Sequence, residues 1–90
     1  MEPLAKCTSV LRRLIAEASN PNSIVLAERA VDDYLALFHT GASKTGALAI
    51  LQQTLTPDWS GSGENRARLD FINLIFDYLD RQMRGLREQS

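Results

Sequence analysis

Leu4, Cys7, Leu11, Leu14, Ile15 and Ala18 recur at spacings of three and four, with Lys6, Arg12, Arg13 and Glu17 between them. That period draws one apolar stripe along a helix and predicts one over residues 3–19. Pro3 suits its first turn, where the N–H has no intrahelical partner to lose. Asn20, Pro21, Asn22 and Ser23 then combine a turn former with residues that favour N-caps, so the chain is expected to stop, turn and restart. A second helix is predicted over 23–39 from Ala27, Ala30, Val31, Tyr34, Leu35 and Phe38, with Gly41 as its C-cap residue. So short a link makes the two helices antiparallel neighbours.

The third helix is expected over 43–55. Ser43 can cap it, Ala47, Leu48, Ile50, Leu51 and Leu55 form its apolar side, and Pro57 removes a donor and restricts Thr56, which should end it. Small Ala42, Gly46 and Ala49 would admit another backbone, a reason to find Gly46 where it costs about 1 kcal/mol of helix propensity. Residues 56–64 read TPDWSGSGE and form the expected main loop. Leu69, Ile72, Phe76, Leu79, Met83 and Leu86 then predict a fourth helix over 65–85. Phe71, Leu74 and Tyr78 run beside that stripe as a second one, leaving Asp70, Asn73, Asp77, Asp80, Arg81 and Arg84 as the polar face. Such a surplus predicts either a central helix or self-association through Phe71, Leu74 and Tyr78, in which case a homodimer is the commonest form.

The pattern contains no strand signal. The fold class it predicts is all-α, a single antiparallel four-helix bundle over residues 1–90. Its expected core is Leu11, Leu14, Ile15, Val31, Leu35, Phe38, Leu51, Ile72, Phe76 and Leu79.

Composition narrows function. Ninety residues, 44% of them hydrophobic, supply one core and exclude a two-domain enzyme. Ten Lys and Arg against 11 Asp and Glu leave a net charge of -1, so no overall positive field attracts nucleic acid or anionic lipid. No apolar run approaches the roughly twenty residues that span a bilayer, and the first residues do not read as a signal peptide. The lone Cys7 has no internal disulfide partner, which predicts a reducing, cytoplasmic home.

Candidate chemistry is sparse. Lys44, Thr45 and Gly46 echo motifs of β-lactamases and phosphate-binding loops, but those sit on strands, and a phosphate loop needs a glycine where Ser43 stands. His39 is expected at a helix end, where an imidazolium suits the dipole. Cys7 falls on an apolar stripe and reads as a buried thiol. Asp70, Asp77 and Asp80 share a face, without the inward Glu and Glu-x-x-His pattern of a di-metal bundle. No catalytic, cofactor or metal residue is therefore assigned, and the chain is expected not to be an enzyme.

Two surfaces remain. Leu37, Gly41, Ser43, Ala47 and Ile50 are spaced as in a helix-turn-helix over residues 35–53, which makes a DNA-binding regulator the rival reading. Lys44 would be the only cation on its recognition helix. Trp59, the only Trp, stands between Pro57 and an SGSG run, either folded over the bundle or presented to a partner. Asp58 and Glu64 flank it and would select a partner offering Arg or Lys.

An Asn20-Pro21 break, Glu28-Arg29 early in the second helix, Gly41 after it, Ala47-Leu48 and Leu51 in the third, and a loop before a long fourth helix together form a pattern. Over residues 20 to 80 it resembles the small helical immunity proteins that protect bacteria from class IIa bacteriocins. That resemblance implies a four-helix protein that binds a protein target inside the cell without catalysis. The Trp59 segment and a short tail of Arg84, Arg87 and Glu88 depart from the family, whose specificity tail is longer, and leave the target open. The expected function is stoichiometric binding of another protein, a toxin, receptor or regulator, as an immunity or inhibitor protein; a structural subunit is a further alternative.

Overall fold

The computed structural model describes residues 2–17, 20–61 and 64–89, excluding the side chains of Pro21, Asp58, Ser60 and Gln89. Four α-helices follow one another: α1 (Pro3–Ala16), α2 (Ile24–Leu35), α3 (Gly41–Gly61) and α4 (Arg66–Gln89), with a 3-10 turn at Pro21–Ser23 before α2. The bundle is all-α, as the periodicity predicts. Its radius of gyration is 12.8 Å, close to the roughly 12 Å of a compact chain of this length. α4 has 24 residues, about 36 Å of helix, and runs nearly the full 38 Å of the molecule. It touches all three other helices, most extensively α3, while α1 and α2 form the other hairpin.

The core gathers the apolar stripes. Leu11, Ile15, Val31, Leu35, Leu51, Ile72 and Leu79 are buried, joined by Cys7, Ala27, Tyr34, Ala47, Leu48, Leu55, Phe71 and Ile75. Leu14, Phe38 and Phe76, expected at its centre, pack against its edge. Thr8 is the one buried polar side chain among the described residues, and its hydroxyl donates back to the Leu4 and Ala5 carbonyls at 3.0 and 3.1 Å.

Element ends differ from the expected ones for local reasons. α1 ends at Ala16 rather than 19; Ala18 and Ser19 lie outside the described residues. Asn20 caps the 3-10 turn, its Oδ1 accepting from the Asn22 N–H at 3.0 Å, while Ser23 at the N-cap position of α2 makes no side-chain capping bond. α2 ends at Leu35, leaving His39 exposed in the connection instead of at a helix terminus. The Lys44 ammonium donates to the Leu35 carbonyl at 2.8 Å, closing the negative end of α2 with a cation. Thr40 replaces Ser43 as the cap of α3: its Oγ1 accepts from the Ser43 N–H at 3.0 Å while its carbonyl accepts from the Lys44 N–H at 3.0 Å. Gly41 thus opens α3 rather than closing α2. Gly46 admits no close neighbour, since a Cβ there would meet nothing within 4 Å.

The largest correction is the main loop. Residues 56–61 are the final turns of α3, which continues through Pro57; Ser62 and Gly63 lie outside the described residues. Proline deprives the Gln53 carbonyl of its donor, so the extension needs support from elsewhere. Trp59 supplies it by docking on α4.

Candidate functional site

Trp59 sits half a turn beyond Pro57 and leans on the first half of α4. Its Nε1–H donates to Asn73 Oδ1 at 2.9 Å, and its ring meets Phe76 with centroids 6.3 Å apart and planes inclined at 48°. The indole is nevertheless 45% exposed. The two alternatives posed by the sequence therefore coexist: one edge is tied to the bundle and the remaining surface faces solvent. An exposed aromatic whose orientation is already set loses little entropy on meeting a partner.

The surrounding charge is partly cancelled. Arg66 pairs with Asp70 at 3.3 Å, and Arg68 reaches the Ala16 carbonyl at 3.4 Å. Asn65 caps α4 through Oδ1 to the Arg68 N–H at 3.1 Å, and exposed Glu64 precedes it. The Asp58 side chain lies outside the described residues.

The three residues expected to form a self-association stripe are sorted differently. Phe71 is 3% exposed and belongs to the core, whereas Leu74 is 42% exposed. Tyr78 is half-buried, and its hydroxyl donates to Asp32 Oδ1 at 2.5 Å. Burial above all, then that hydrogen bond and the negative charges of Asp32 and Glu28, push the phenol well above its ordinary value, against the Arg81 guanidinium lying 5.7 Å over the ring. Tyr78 thus tethers α4 to α2, and the stripe does not persist as an outward surface.

A surface that the sequence reading missed lies between α1 and α2. It is an open groove of about 550 Å³, floored by Cys7, Leu14, Ala30 and Tyr34, with Val10, Leu26 and Leu37 on its exposed walls. Its signal was present in the sequence as apolar residues that fall off the core stripes. The helix-turn-helix geometry is a poorer match: Leu37 and Ile50, which such a motif would bury, are exposed, and Lys44 is engaged by Leu35. Among the described residues, no three His, Cys, Asp or Glu side chains come together as a metal-binding group, and no helix is long and apolar enough to cross a membrane.

Compared with protein-family models, curated protein sequences and solved structures, the chain shows no match to any of them.

Proposed function

We propose that this chain acts without catalysis, by stoichiometric binding of another protein, as an immunity or inhibitor protein of the bacterial cytoplasm. The observation that carries this reading is Trp59, held in one orientation by Asn73 and Phe76 while almost half of it stays in water. Large rigid aromatics of this kind dominate binding energy at protein interfaces. With Arg66 and Asp70 paired to each other, exposed Glu64 ahead of α4 favours a partner segment carrying Arg or Lys around an apolar socket. The single Cys7, buried and outside any disulfide, fits a reducing compartment.

The test is photo-crosslinking in the native host from position Thr56, one turn from Trp59, followed by affinity measurement on the purified partner. Trp59→Ala is expected to weaken binding by about 2 kcal/mol, roughly thirtyfold, and Glu64→Lys to weaken it as well. Far-ultraviolet circular dichroism should show both variants helical. Unchanged affinity in both would remove the Trp59 surface from the interface.

A further inference from the structure

α2 carries a second stripe that the bundle does not use. Its buried side is Ala27, Val31, Tyr34 and Leu35. Leu26, Arg29, Asp33 and Leu37 recur at spacings of three and four on another side, and all four are exposed, the two leucines by 54% each. Ala36 keeps right-handed helical angles, and the Leu37 N–H still reaches the Tyr34 carbonyl at 3.2 Å, so Leu37 stays in line with the others. Neither Arg29 nor Asp33 has an ion-pair or side-chain hydrogen-bond partner among the described residues. In a lone chain two leucines face water with two opposite charges between them, neither of them in an ion pair among the described residues.

The order along this stripe is leucine, cation, anion, leucine. Turned end for end it becomes leucine, anion, cation, leucine, so an inverted second copy presents the complement at every position. Leu26 meets the second copy's Leu37, and Arg29 meets the second copy's Asp33, each contact occurring twice. That reciprocity is what a closed two-fold interface requires. A partner helix of one uniform charge would set a like charge against either Arg29 or Asp33. We propose that α2 pairs antiparallel with α2 of a second copy, making the chain a two-fold dimer. The interface lies on the hairpin that does not bear Trp59, so dimerisation and the binding of another protein are separable.

Sedimentation equilibrium of the full chain under reducing conditions tests the pairing. The native chain should self-associate to a dimer in the micromolar range, and Leu26→Glu should be monomeric. Arg29→Asp and Asp33→Arg, each alone, set like charges against each other and should raise the dimer dissociation constant at least about tenfold. The double variant Arg29→Asp with Asp33→Arg restores opposite charges and should return it to within about threefold of the native value. Circular dichroism checks the fold, and if Leu26→Glu loses helix the charge variants, whose side chains are exposed and outside the core, decide. A native chain that stays monomeric throughout the micromolar range overturns the proposal. So does a dimer that survives Leu26→Glu but is lost in Leu74→Glu, or a double swap that fails to restore association.

Discussion

Cys7 shows how burial decides what a reactive side chain can do. It is 4% exposed, its Sγ lies 3.6 Å from the Ala30 carbonyl, and burial first, then the charge of Asp33, push its thiol from 9.0 up to about 11. The thiolate is the nucleophile, so the fold suppresses its chemistry. The sign of the linked stability follows. A folded value above the unfolded one gives a contribution that is complete below about pH 9 and is lost as the pH rises towards about 11. Urea midpoints measured from about pH 7 to pH 11 should therefore fall across the upper part of that range, and less steeply in Cys7→Ala. Equal slopes would mean that Cys7 titrates alike in the folded and unfolded chain. Tyr34 and Tyr78, both raised by burial, act in the same direction at higher pH, which is why the comparison with Cys7→Ala is needed.

Among the elements, α3 departs furthest from its sequence pattern. Its start is set by Thr40, three positions before the expected Ser43, because the Thr40 hydroxyl and carbonyl both meet the first turn. Ser43, already inside the helix, only receives a hydrogen bond from the Thr40 hydroxyl at 2.8 Å. Thr40→Ala should accordingly cost about 1 kcal/mol in chemical denaturation and Ser43→Ala a few tenths; the reverse order would return the cap to Ser43. At the other end, helix propensity alone would stop α3 at Pro57. The extension is held by contacts from outside the helix: Trp59 on α4, and the Arg12 guanidinium of α1 at 3.4 Å from the Thr54 carbonyl. Just ahead of Pro57, the Thr54 and Thr56 hydroxyls each donate at 2.8 Å to carbonyls one turn back, those of Ile50 and Gln52.

Over the whole molecule, α4 resolves the surplus of apolar residues. Because it packs on α1, α2 and α3 together, a wider arc of its surface is interior than a peripheral helix would show. Phe71 and Ile75 fill that arc, and Tyr78 closes it against Asp32. Neighbouring residues therefore have opposite fates: Ile75 is 1% exposed and Leu74 42%. Ile75→Ala is expected to destabilise the chain by about 2–5 kcal/mol and Leu74→Ala by no more than about 0.5, measured by urea unfolding of the two variants. Comparable losses would show that Leu74, too, is covered.

Helical periodicity by itself determined the number of helices, their order and most of the core, since a stripe at spacings of three and four can be buried in only one way, against other stripes. The buried Leu11, Val31, Leu51, Ile72 and Leu79 were legible for that reason. Three things were not. Pro57 and the glycines after Trp59 signal a loop in any local reading, and it is contacts from other helices, above all Trp59 onto Asn73 across 14 positions, that keep the helix going. The division of α4 into Phe71 inside and Leu74 outside depends on where α2 and α3 lie around it, which no period along one helix contains. The outward stripe of α2 became visible only once the bundle had claimed Ala27, Val31, Tyr34 and Leu35, leaving Leu26, Arg29, Asp33 and Leu37 in water. Local spacing specifies which residues share a face; which faces meet is settled by the packing of all four helices at once.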